Sequence, residues 1–203
     1  MGGLGTSTSI AGVTALDAYA SDCRLFGQID LGDGRLTELL NGASEVRIVD
    51  ARLKSLSDAH VVQSAELTVG RDELYAVVAD GPRGDIARRL RTRAIKVIVD
   101  LGPYQVAGSI HGTPASNPLA GVLRRAPWVP LTDAVITYRQ GSDSVSDEVA
   151  TLLVNRGQAS SIRPAEEETP ILPWEGSGTP RPAAPGALDL TNALKDEDPR
   201  DRV

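Results

Sequence analysis

The chain has 203 residues, 41% of them hydrophobic and only 3% aromatic, with a formal net charge of −6. That length admits one large domain or two small ones, and a core so poor in aromatics must be built from Val, Ile, Leu and Ala, as in small β-rich units or thin helical layers. The acidity sits at the end: residues 22–164 carry 17 basic and 17 acidic side chains and residues 165–203 carry 9 acidic against 4 basic, so the neutral body has no long-range field to gather phosphates and non-specific nucleic-acid binding is disfavoured.

Residues 1–21, rich in Gly, Ser, Thr and Ala, are expected to form a flexible leader whose IAGVTALDAYA end adds a first strand or short helix. The opening MGGLGT matches the N-myristoylation pattern, but a match this short arises by chance in a Gly-rich start. No secretory signal precedes the body and no apolar run reaches the length of a membrane span. The one cysteine, Cys23, excludes an internal disulfide and fits a reducing compartment. The expected location is the cytoplasm, and 18 Arg against 3 Lys points to a GC-rich, bacterial genome.

Two β-rich repeat units are predicted, over 22–81 and 94–164. Gly27-Gln28-Ile29 matches Gly108-Ser109-Ile110 at an offset of 81, VRIVDARL (46–53) matches VPLTDAVI (129–136) at 83, and Leu67 to Arg71 matches Leu152 to Arg156 at 85. Offsets that drift by two are what loop insertions between retained elements produce. In the second unit Ala94 to Asp100 reads as a strand, Gly102-Pro103 as a turn and Tyr104 to Ile110 as a returning strand. Leu36, Leu39 and Leu40, and again Leu119, Val122 and Leu123, share helical spacing, so a helical turn follows each hairpin. VRIVDARL and VPLTDAVITY alternate as half-buried strands do. Each unit ends in two strands joined by a polar corner, Gly70 to Glu73 or Asn155 to Gln158. Five strands and a helical turn in about 70 residues is the size of a small barrel, a sheet closed largely on itself.

Between the units, residues 82–93 form a basic connector: Arg83, Arg88, Arg89, Arg91, Arg93 and the adjacent Lys96 stand against Asp85 alone. Such a cluster binds phosphate backbone or an anionic partner, keeps a strand edge charged, or docks the chain's own acidic tail. Residues 165–203 hold 6 of the 13 prolines and read as a disordered acidic tail. Two apolar islands interrupt it, Ile171, Leu172 and Trp174, and the helix-prone pair Leu190 and Leu194. They suit a groove on a partner or a tether to the chain's own body.

Residues 95–162 resemble the Sm-like small β-barrel: strand, Gly turn, strand ending in G-x-I, strand ending in L-x-D-A, then V-N-R-G and a closing strand. The body also resembles a bacterial, actinobacterial-type family with G-x-[IL]…L-L-N…[FV]-x-x-[LV]-x-D-A and no assigned activity. The Sm-like resemblance implies an RNA-base site built from an Asn and an Arg-Gly corner. The corner corresponds to Arg156-Gly157, and to Arg71 alone in the first unit. For the Asn, Asn41 lies several residues early and the second unit offers Arg124, so half the pocket is missing and Arg71 and Arg156 read better as turn arginines paired with a carboxylate.

Catalytic and metal constellations are not found. His60 and His111 lack a ligand partner at helical spacing and read as loop or edge histidines. Cys23 has no adjacent base; a pKa lowered by Arg24 has no other support, and a buried small residue at a strand start fits better. Asp50 and Asp133 tempt as an acid and base pair, but repeat-equivalent positions give similar surroundings, and D-A at a strand end suits bonds to turn amides. The expectation is therefore a mainly β tandem of two Sm-like, barrel-like units, with Gly27, Gly108, Asp50, Asp133, Arg71 and Arg156 as repeat-equivalent structural positions. No cofactor and no metal are implied. The expected function is non-catalytic: an interaction or adaptor protein that recruits protein partners through strand edges and tail, and self-associates into a dimer or ring. RNA or single-stranded nucleic-acid binding through the connector and Arg156 is the alternative, and an enzyme would need Asp50, Asp133 or His111 to converge on one cleft.

Overall fold

The alternation in VRIVDARL appears in space as a strand with one buried face: Val46 and Ile48 are buried and Glu45 and Arg47 exposed. The computed structural model describes residues 12–79, 92–114, 117–122 and 126–165. Within them ten strands follow in order: β1 (Val13–Ala20), β2 (Cys23–Asp30), β3 (Glu45–Ser55), β4 (Val61–Gly70), β5 (Leu74–Val78), β6 (Arg93–Leu101), β7 (Tyr104–Gly112), β8 (Trp128–Gln140), β9 (Asp143–Asn155) and β10 (Ser161–Pro164). Helix α1 (Leu36–Gly42) lies between β2 and β3, and α2 (Pro118–Val122) between β7 and β8. Short 3-10 turns, Arg71–Glu73 and Arg156–Gln158, form the two polar corners.

The chain is mainly β, and its ten strands make one antiparallel sheet in the order β10-β6-β7-β8-β9-β5-β1-β2-β3-β4. Each half therefore runs fifth, first, second, third, fourth in its own chain order. The expected closure of the sheet on itself is not found. Closing the first half would require β4 to meet β5, but β5 gives its second edge to β9, through Ala76 opposite Val154, Val77 opposite Leu153 and Val78 opposite Leu152. At the end of the expected leader, residues 13–20 form the strand option offered there, β1, a central strand paired with both β2 and β5.

Asp50 and Asp133 lie inside their strands, a correction to the strand-end placement. Each has a left-handed backbone, φ 51° and 49°, which a short polar side chain tolerates. The extra residue makes a bulge that resets the alternation, so Ala51 rather than Asp50 turns inward after Ile48, and Ala134 does so after Leu131. These bulges are the register shifts against the neighbouring strand, between Phe26 and Gln28 on β2 and between Ala107 and Ser109 on β7. The glycines inside those shifts, Gly27 and Gly108, let the bulged strand approach. A Cβ on Gly27 would stand 2.4 Å from Ile48 Cγ2 and 2.9 Å from the Val49 carbonyl, and one on Gly108 3.2 Å from Leu131 Cβ.

Two cores form, and each borrows from the other half. The core built on β1 to β5 includes Trp128 and Leu153 from β8 and β9. That built on β6 to β10 includes Tyr19, Leu56, Ala76 and Val78. Gly27→Ala is expected to destabilise the fold by about 2 kcal/mol, the cost of overpacking against backbone, and Gly108→Ala by clearly less; urea midpoints of the two variants measure the difference.

Candidate functional site

The residues named from the sequence fall into three groups. Arg93 and Lys96 are exposed on β6, whereas Arg83, Arg88, Arg89 and Arg91 lie outside the described residues, as do Ile171, Leu172, Trp174, Leu190 and Leu194 in the tail. The positions matched in the sequence as repeat equivalents have similar backbone surroundings in the two halves. Arg71 N–H donates to the Ser44 carbonyl at 2.9 Å and Arg156 N–H to the Pro127 carbonyl at 2.8 Å, so each corner is tied to the residue preceding the third strand of its half. Arg71 pairs with Asp72 at 3.2 Å, as a turn arginine should. Arg156 Nη1 donates to the Val122 carbonyl of α2 at 3.4 Å.

Asn155 and Asn41 hold the halves together. Buried Asn155 donates to the Leu74 carbonyl at 3.0 Å and accepts from Gly157 N–H at 3.0 Å. Asn41 on α1 accepts from Trp128 N–H at 3.2 Å, locking the helix to β8. Asp50 and Asp133 are exposed and five strand positions apart in the sheet, roughly 24 Å measured along it. His111 is not an edge histidine: it sits on interior strand β7, with Nδ1 3.1 Å from Thr92 Oγ1 and Nε2 2.8 Å from Thr132 Oγ1. Cys23 starts β2 half-buried, and burial followed by Asp22 pushes its thiol up to about 11, against the lowering that Arg24 suggested. No group of His, Cys, Asp and Glu among the described residues could hold a metal ion. No described helix is long and apolar enough to cross a membrane.

Nothing in the sequence reading pointed to the cluster around Arg24. Its guanidinium donates to Asp17 at 2.8 and 3.0 Å, to Asp147 Oδ2 at 2.9 Å and to the Tyr138 hydroxyl at 3.0 Å. It also lies 4.7 Å from the Tyr19 ring centre and 4.9 Å from that of Phe26. Burial works against the charge, but Asp17 and its neighbours outweigh it and raise the Arg24 pKa further. All four tyrosines gather here in edge-to-face or tilted contacts, Tyr19 to Tyr104 at 5.3 Å, Tyr104 to Tyr138 at 5.6 Å and Tyr75 to Tyr104 at 6.1 Å. Burial raises the hydroxyls of Tyr19, Tyr104 and Tyr138 above their ordinary range. Arg24 and Asp147 are 123 residues apart, so no local spacing could have joined them.

The exposed chemistry lies at the two ends of the sheet. Among the described residues β4 and β10 each have one strand neighbour. On the β3–β4 hairpin Val49, Val61 and Val62 are 42, 46 and 53% exposed, the large apolar side chains most open to water among those described. At the other end Asp100 accepts from Ser161 Oγ at 2.6 Å, from Gln105 at 3.0 Å and from Arg163. Burial would raise the Asp100 carboxyl, but these three donors overcome it and hold the pKa below the usual value. No family model, curated protein or solved structure matches the chain.

Arg24→Met leaves Asp17 and Asp147 without their shared cation and is expected to cost about 3 kcal/mol, and Arg24→Lys less, by denaturant unfolding. Asp100, with a depressed folded pKa, contributes stability that is complete above the unfolded carboxylate value of about 3.9 and is lost as pH falls through the folded value. Asp100→Asn should therefore flatten the fall of melting temperature below about pH 4.

Proposed function

We propose that this chain is a non-catalytic interaction or adaptor module built from two related small β-barrel-like units of the Sm-like kind, which recruits protein partners through its sheet edges and tail. The observation that carries the reading is β4, a ten-residue edge strand with Val61 and Val62 open to solvent. Unpaired backbone groups beside exposed apolar side chains are a template for another strand, and native edges without a partner are usually blunted by charge, Pro or a bulge. Relation of the two units is supported by their common strand order, by the paired φ values of Asp50 and Asp133, and by the matching ties of Arg71 and Arg156.

The burial of the aromatics favours protein over nucleic acid as partner. Stacking platforms for bases need exposed rings, and Tyr19, Tyr104, Trp128 and Tyr138 are each 3% exposed or less. Arg93 and Lys96 remain available on β6 as the described part of the connector.

Pull-downs with the full chain, with Val61→Lys/Val62→Lys and with residues 165–203 removed should lose protein partners in at least one of the altered chains. Partners retained by all of them would sink the proposal. In filter binding against salt, the chain should show no steep log–log dependence on single-stranded RNA or DNA, since phosphate contacts release counterions; a steep slope would favour the nucleic-acid reading.

A further inference from the structure

The strands left at the two ends of the sheet correspond to the two strands that already pair at its centre. Within each half the order is fifth, first, second, third, fourth, and the halves join where the fifth strand of one, β5, meets the fourth strand of the other, β9. That leaves a fourth strand, β4, at one end and a fifth strand, β10, at the other. We infer that a second copy of this chain adds head to tail, its β10 pairing with β4 in the register that β5 and β9 hold internally. This rests on the strand-edge reading above and names the partner.

The register follows from matched positions. Gly27 faces Leu16 across β1 and β2, and Gly108 faces Val97 across β6 and β7. Tyr19 then corresponds to Asp100, and their partners Ala76 and Ser161 correspond in turn. Val46 opposite Val69 likewise corresponds to Val129 opposite Val154. Carrying the β5–β9 pairs over puts Ser161 opposite Val69, Ile162 opposite Thr68, and Arg163 opposite Leu67 of the neighbouring copy.

Two details bear on this pairing, the first costing it one bond of the internal ladder. At the internal junction Ala79 N–H donates to the Thr151 carbonyl. The counterpart of Ala79 is Pro164, which has no N–H to give. The counterpart of Thr151 is Glu66, whose carbonyl already accepts from Ser64 Oγ at 2.6 Å, so the missing donor leaves no acceptor bare. Behind the internal junction Trp128 enters the core of the first half. The matching place in the second half is an apolar cleft lined by Val97, Val99, Ile110, Val122 and Ile162, with Arg156 in its wall. The residue matching Trp128 is Glu45, so a head-to-tail neighbour brings a carboxylate to that guanidinium.

The outer pairing is weaker than the inner one because its residues are more polar: Ser161, Ile162 and Arg163 stand where Ala76, Val77 and Val78 stand inside. It is therefore reversible and depends on concentration. A heterologous contact of this kind repeats until the rotation closes a ring, or else grows as a filament.

Thr68 gives the sharpest test, being exposed in the single chain whereas its counterpart Leu153 is 1% exposed. Light scattering of the full chain over a concentration series should show assembly, strengthened about tenfold by Thr68→Leu and weakened at least as much by Thr68→Lys. Circular dichroism should show both variants folded. In a Cys23→Ser background, mixed Thr68→Cys and Ile162→Cys chains should form interchain disulfides that neither chain forms alone. A monomer at every concentration, an assembly indifferent to both Thr68 changes, or Thr68→Cys chains that crosslink to themselves would overturn the inference. Loss of other captured proteins in Val61→Lys/Val62→Lys, with the chain itself monomeric, would overturn it while leaving the strand-edge function standing.

Discussion

Three residue pairs, Ala76 with Val154, Val77 with Leu153 and Val78 with Leu152, decide the form of this molecule. They make a single ladder of ten strands from what would otherwise be two five-stranded sheets. Because β5 has only two edges and β1 occupies the other, the pairing forbids closure of the first half. All six side chains are buried, so the backbone bonds are formed away from competing water and flanked by apolar contacts on both faces. The exchange of core residues follows: once β5 and β9 are adjacent, Leu153 points into one core and Val154 into the other.

The second tie is electrostatic and lies in the tyrosine cluster. Arg24 belongs to the first half and Asp147 to the second, and the charge they share is largely withdrawn from solvent, with the Arg24 side chain only 15% exposed. Desolvating a guanidinium is costly unless its donors are satisfied. Two carboxylates and a tyrosine hydroxyl satisfy most of them, and ring faces add an attraction of about 1–2 kcal/mol. Nε of Arg24 is the exception, buried without a hydrogen-bond partner. The chain thus devotes all its tyrosines to a junction of modest length, and the relative placement of the halves is fixed by packing as well as by backbone pairing.

A sheet that is open by construction has chemically different ends. The β10 end is short, terminates in Pro164, and has its polar groups engaged by Asp100. The β4 end is long and carries exposed valines beside the bidentate Arg47–Glu66 pair, whose exposed charges contribute little to stability. Exposed apolar surface among the described residues is therefore concentrated on the β3–β4 hairpin, while the aspartates and histidines that could suggest chemistry are dispersed or bonded to neighbouring hydroxyls.

Much of the local structure was legible because it depends on neighbours in sequence. The Gly102-Pro103 hairpin, the Leu36/Leu39/Leu40 helical turn, the polar corners at Arg71 and Arg156 and the mainly β character all follow from periodicity and turn chemistry within a few residues. A first strand in VTALDAYA was legible as one of two options, but not that it is a central strand, because that depends on its pairing with β5, far along the chain. The bulges at Asp50 and Asp133 were hidden because strict alternation predicts no φ change. The junction of β5 with β9, the Arg24–Asp147 pair and the open ends of the sheet were decided only in three dimensions. They join residues far apart in the chain, and which edge a strand satisfies depends on every competing strand, which no local window contains.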